Sequence, residues 1–185
     1  MRMLKSARRL ALVLLAVLLL GGLAVPAASE LWRPTLTGTW YFATGVGPGA
    51  AVPAVATFHD DGTVVYSDAL TYGGVPLFPV KFTPFLGVWR MTGFGKFGGT
   101  SVGLMFDPTT NVIVGLERAR SALRFDRDLG HVVGTIYLET AMCTGPFACP
   151  DPTDPAVVWT PVGDPVNGFP VTLSRLSRVP AGPLQ

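Results

Sequence analysis

From residue 36 onward the chain alternates apolar and polar positions in short runs, and no stretch holds a helical period of three to four residues for long. The runs are LTGTWYFAT, AVPAVATFH, TVVYSD, PFLGVWRMT, TSVGLMFD, VIVGLERARSALRF, HVVGTIYLET and GFPVTLSRLSR. Each is rich in β-branched and aromatic residues, and turn chemistry separates them: DDG after the second, PTTN after the fifth, DRDLG after the sixth. The pattern predicts eight strands, mostly sequential antiparallel neighbours. Eight such strands suit an up-and-down barrel, which leaves no exposed sheet edge. The fold class is therefore read as all-β, an eight-stranded antiparallel barrel.

Strand parity proposes an interior, because one face of each strand fills a small barrel. Trp40 and Phe42 share a face, as do Trp89 and Met91, and as do Val102, Leu104 and Phe106. On the long sixth run Glu117 shares a face with Ile113, Gly115, Ala119, Ser121, Leu123 and Phe125, opposite Arg118, Arg120 and Arg124. Arginines facing solvent would point Glu117 inward. Trp89, Met91, Leu104, Phe106 and Glu117 are thus the expected ligand-binding residues, and Glu117 is the one candidate catalytic group. A carboxylate among apolar neighbours is costly and has a raised pKa unless it finds a partner. Arg118, Arg175 or a wet barrel mouth would supply one, and a bulge would reverse the parity.

The first residues change the charge argument. MRMLKSARR holds Arg2, Lys5, Arg8 and Arg9 and no acid, and Leu10–Val25 is an unbroken apolar run before the small residues Ala27-Ala28-Ser29. This is the form of a cleavable export signal, and sixteen residues fall short of the roughly 20 that span a bilayer. The expected organisation is a signal peptide over 1–29 and one domain over 30–185, secreted or periplasmic, with no membrane span after cleavage. Without residues 1–29, Lys+Arg falls from 14 to 10 against 12 Asp+Glu, so the net charge turns from +2 to −2. No basic patch remains for phosphates, which argues against a nucleic-acid partner.

An exported chain meets an oxidising compartment, and that bears on Cys143 and Cys149, the two cysteines of the chain. Five residues lie between them, too many for a thioredoxin-like pair, and the two histidines, His59 and His131, are far away for a zinc site. The pair reads as a disulfide clipping a proline-stiffened loop, worth roughly 2–2.5 kcal/mol through loop-closure entropy. Neither metal nor cofactor is expected. Gly99-Thr100-Ser101-Val102-Gly103 matches a hydrolase G-x-S-x-G, but that motif needs a strand–turn–helix elbow, for which the chain has no helix. Both histidines adjoin turns and read as exposed strand ends. Asp151, Asp154 and Asp164 sit beside prolines or in turns and read as loop-shaping residues rather than calcium ligands.

Leu36-Thr37-Gly38-Thr39-Trp40 resembles the opening G-x-W of lipocalins and other calycin barrels, avidins included. The resemblance implies that Trp40 plugs one barrel end and that Arg175, in VTLSRLSR, packs across it. TFHDDGTVV, GVWRMTG, LMFD and ERARSALRFD are similar to a group of bacterial secreted lipocalin-like proteins. The polar residues that avidins use for biotin are replaced by FATG, and the general pattern also resembles the allene oxide cyclase and dirigent type of barrel. Three functions follow as expectations: binding of a small apolar molecule, cyclase or isomerase chemistry through Glu117, or a filled structural barrel without ligand. An outer-membrane barrel fits less well, because the chain ends VPAGPLQ and lacks a terminal aromatic.

Overall fold

Each of the eight alternating runs forms a strand. The computed structural model describes residues 35–47, 50–72, 80–127, 130–146 and 148–176. Its strands are β1 (Gly38–Gly47), β2 (Ala50–Phe58), β3 (Thr63–Asp68), β4 (Lys81–Phe82), β5 (Phe85–Gly93), β6 (Lys96–Phe106), β7 (Ile113–Phe125), β8 (His131–Met142), β9 (Thr160–Val162) and β10 (Phe169–Arg175). Strands β1, β2, β3, β5, β6, β7 and β8 pair in sequence, all antiparallel, and β10 closes the barrel by pairing with both β8 and β1. These are the eight strands of the sequence pattern. The two short extras, β4 on β6 and β9 on β8, extend the wall beyond β5 and β10. Among the described residues there is no α-helix, and one 3-10 turn, Ala69–Tyr72, follows β3.

One barrel end is floored with rings. Trp40, 1% exposed, donates its indole N–H to the Leu36 carbonyl at 2.7 Å. Trp40 and Arg175 are direct partners in the β1–β10 register. The guanidinium carbon lies 5.2 Å from the indole centroid, and the same group donates to the Thr37 carbonyl. Phe125 packs at 6.1 Å from Trp40, Phe97 at 5.5 Å from Phe125, Trp89 at 5.8 Å from Phe97 and Phe58 at 6.0 Å from Trp89. Gly38 explains the glycine of the G-x-W: its φ is 125°, and a Cβ there would stand 3.4 Å from the Arg175 guanidinium.

β7 keeps the expected parity, with Glu117, Ala119 and Leu123 buried and Arg120 and Arg124 exposed. β6 does not. Phe97, Ser101, Gly103 and Met105 are its buried positions, so Leu104 and Phe106 lie on the outer face. The register gives the reason: Leu104 stands opposite Leu116, whereas Gly103 stands opposite Glu117, and directly paired residues share a face. Both faces of β6 are apolar because its outer face is also partly covered. Leu116 and Ala141 are buried outside the main core cluster, so hydrophobicity alone does not distinguish in from out.

Cys143 and Cys149 form a disulfide. The loop it closes is tied to β7 by the Cys143 N–H bonding to the Val114 carbonyl at 3.0 Å, and internally by the Thr144 N–H bonding to the Ala148 carbonyl at 3.0 Å. The protein isolated from an oxidising compartment is expected to have a mass about two units below its reduced form, as one S–S bond requires. Intact-mass measurement with and without reductant checks this; two alkylatable thiols in that protein would contradict it.

Candidate ligand cavity

Away from the ring floor the barrel is hollow. A cavity of about 310 Å³ occupies this half, with walls from β1 to β10. That volume is at the small end of the ~300–1,000 Å³ typical of ligand pockets. A second void of about 40 Å³ lies toward the floor, beside Ala56, Ser101 and Ala119. Small side chains keep the larger space open: Thr44, Ala54 and Thr140 line it where larger residues would fill it. Gly103 has a related role. A Cβ there would meet the Phe85 ring at 3.1 Å, so its absence lets that ring lie flat on the wall beside Glu117.

The cavity also runs along a break in the wall. β10 pairs with β1 only over Trp40–Phe42, and β9 continues the wall on β8 over Leu138–Thr140. Among the described residues no ladder joins β9 to the far half of β1. Thr44 and Val162, on either side of that break, both line the cavity.

Glu117 is 7% exposed and faces this space between Gly103 on β6 and Thr140 on β8. Among the described residues no hydrogen bond or ion pair reaches its carboxyl. Burial, and then the negative charge of Asp68, push its pKa up to about 8. Asp68, also on the wall, accepts the Thr71 N–H at 3.1 Å, which fixes it at the start of the 3-10 turn. Tyr66, two positions before Asp68 on β3, lines the same wall. Its ring stacks on Phe85 at 4.2 Å, and burial together with the two carboxylates raises its phenol well above the ordinary value.

Arg118 does not partner Glu117. It points outward, where its register partner is Glu139, and donates from Nε to Oε2 at 2.8 Å. Arg120 adds Nε to Oε2 at 3.0 Å and Nη2 to Oε1 at 2.9 Å, so one carboxylate, 9% exposed, is shared by two guanidinium groups. Trp159 lies over Arg118 at 4.1 Å. Arg175 lies at the floor, over Trp40. Glu139 was not singled out from the sequence; counting outward from the DRDLG turn would have paired it with Arg118.

Of the expected ligand contacts, Glu117 alone lines the larger cavity. Trp89 belongs to the floor, its indole N–H bonded to the His59 carbonyl at 2.9 Å. Met91 is 40% exposed near the β5–β6 hairpin, and Leu104 and Phe106 are on the outer face, where Met105 replaces them on the wall. Tyr66 and Asp68 were missed although they alternate with buried Val64, a signal that TVVYSD carries on its own. Ser101 is buried in mid-strand, not on an elbow. His59 and His131 are exposed, the latter within 3.2 Å of the Ser174 hydroxyl. Asp151, Asp154 and Asp164 each accept N–H groups of their own turns, at 2.8 Å from Thr153, Ala156 and Val166. Among the described residues no three His, Cys, Asp or Glu side chains converge as a metal site, and no helix is long and apolar enough to cross a membrane.

Comparison with protein-family models, curated proteins and solved structures finds no match for this chain. The fold itself is an all-β, eight-stranded closed antiparallel barrel, consistent with a calycin-like barrel.

Proposed function

We propose that this is an exported single-domain protein, residues 30–185, that carries a small apolar molecule in its barrel. The cavity of about 310 Å³ is the observation that supports the reading, since a barrel filled by its own side chains would have no such space. Its wall is built mainly from Phe42, Val52, Phe82, Phe85, Met105 and Leu138, which offer apolar contact. The resemblance of the Trp40 region to lipocalins adds support, with Arg175 lying across the plug. Export through a signal peptide over 1–29 belongs to the same proposal. Those residues lie outside the described ones, and the disulfide is compatible with an oxidising destination.

N-phenylnaphthylamine, a neutral fluorophore that brightens when desolvated, is expected to bind saturably to the protein. Thr140→Phe, which adds a ring on the wall, should weaken that binding at least tenfold, about 1.4 kcal/mol. Leu104→Ala, on the outer face, should leave it within twofold. Absence of saturable binding, or equal affinities for the two variants, would overturn the proposal.

A second reading is favoured by one observation: Glu117, with its pKa about 8, is poised to give or take a proton near neutrality inside an apolar space. That suits a cyclase or isomerase on a hydrophobic substrate. If a compound retained by the protein from its own host is slowly converted, Glu117→Gln should keep the binding and stop the conversion.

A further inference from the structure

The chemistry of the cavity wall says more than that the ligand is apolar. Its charged side chains are both acidic, Glu117 from β7 and Asp68 from β3, and no Lys, Arg or His lines it among the described residues. Glu117 is more than nine-tenths buried, faces the space and receives no hydrogen bond from any described residue. The other polar groups beside it are the Tyr66 phenol on β3 and the Thr140 hydroxyl on β8, while β6 presents Gly103. Rings gather on the same wall: Tyr66 lies 4.2 Å from Phe85 and 6.3 Å from Phe42, and Phe82 lies 5.9 Å from Phe85. Aromatic faces attract cations, most strongly where water is excluded.

We infer that the ligand is an apolar organic cation, an amine or ammonium compound whose charge lies against Glu117 and the ring cluster while its hydrocarbon part fills the cavity. This rests on the reading of the cavity as a ligand site. A carboxylate or phosphate ligand would bring its negative charge beside Asp68 and hold Glu117 in its protonated form, in a poorly solvated space where like charges repel most. A neutral ligand would leave the carboxyl protonated and gain nothing from its charge. A cation gives the ionised carboxyl a counter-charge, which no described side chain on the cavity wall supplies. Because burial and the charge of Asp68 push the Glu117 pKa up to about 8, the carboxyl is mostly protonated at pH 7. Binding an already protonated ammonium then releases its proton to the solvent: the carboxyl ionises, the ammonium keeps its own protons, and close to one proton leaves per complex.

Three probes on one skeleton test this: naphthylmethylamine, naphthylmethanol and naphthoate, titrated calorimetrically into the full domain in two buffers of different ionisation enthalpy. At pH 7 the amine is expected to bind at least tenfold more tightly than the alcohol, with naphthoate weakest. The amine should release close to one proton and the alcohol none, a readout on the unaltered protein. Glu117→Gln should lower the amine to the affinity of the alcohol and end the proton release, while the alcohol stays within threefold. An alcohol that binds as tightly as the amine would overturn the cation while leaving the apolar cavity standing. So would an amine preference that survives Glu117→Gln with its proton release intact. Failure of all three probes to bind would overturn both.

Discussion

Replacing Trp40 with alanine is expected to lower the unfolding free energy by about 3–5 kcal/mol, the usual cost of deleting a buried aromatic. Native domains hold only about 5–15 kcal/mol in total, so the variant should be unfolded or close to it at ordinary temperature. The magnitude follows from what the ring touches. It is 1% exposed, packs on Phe125, supports the Arg175 guanidinium and satisfies the Leu36 carbonyl. Its loss would leave a void under a barrel end and free the segment before β1. Arg175→Met should cost much less, because the guanidinium is exposed and its stem can still cover the indole. Urea unfolding followed by circular dichroism checks both variants. A Trp40→Ala protein within about 1 kcal/mol of the wild type would mean that the ring does not hold that end closed.

Glu117→Gln is expected to change how stability depends on pH, and by a comparable amount. The carboxyl has a pKa near 4.5 when the chain is unfolded and about 8 in the folded barrel. Between those values the native state holds a proton that the unfolded state has released, so wild-type stability should fall as pH rises through this window. Each unit is worth 1.36 kcal/mol, and the full span comes to about 5 kcal/mol. Below pH 4.5 the carboxyl is protonated in both states and the contribution is fully present; above 8 it is fully lost. Glutamine has no such titration. The variant should therefore match the wild type near pH 4 and exceed it by several kcal/mol at pH 8.5. Urea midpoints at pH 4, 6 and 8.5 measure the difference. Parallel curves for the two proteins would show that the carboxyl is hydrated or paired in solution.

Much of the molecule was legible from alternation alone. The eight closing strands, the DDG and DRDLG turns and the inward direction of Glu117 follow from a period of two. The pairing of the two cysteines was legible on other grounds: their spacing, and the lack of further cysteines or nearby histidines in the sequence. The cavity itself was read less well. Leu104 and Phe106 were placed on its wall because apolar residues occur on both faces of β6, and the alternation there carries little contrast. Met105 is the wall residue, and only the register against β7 distinguishes the two cases.

What the amino-acid sequence determined by itself is local: which segments are extended, where the chain turns, and which residues on one strand share a side. These depend on neighbours a few positions apart, and the pleat transmits them along each strand without outside help. The tertiary structure decided everything that depends on distance across the barrel. Side-chain packing made Glu139 the shared partner of both Arg118 and Arg120. Closure set Arg175 over Trp40 and left Glu117 facing a hollow half beside Asp68 and Tyr66. Those contacts join residues far apart in the chain. Their energies depend on burial and on the charges brought near, quantities that exist only once the strands have closed on one another.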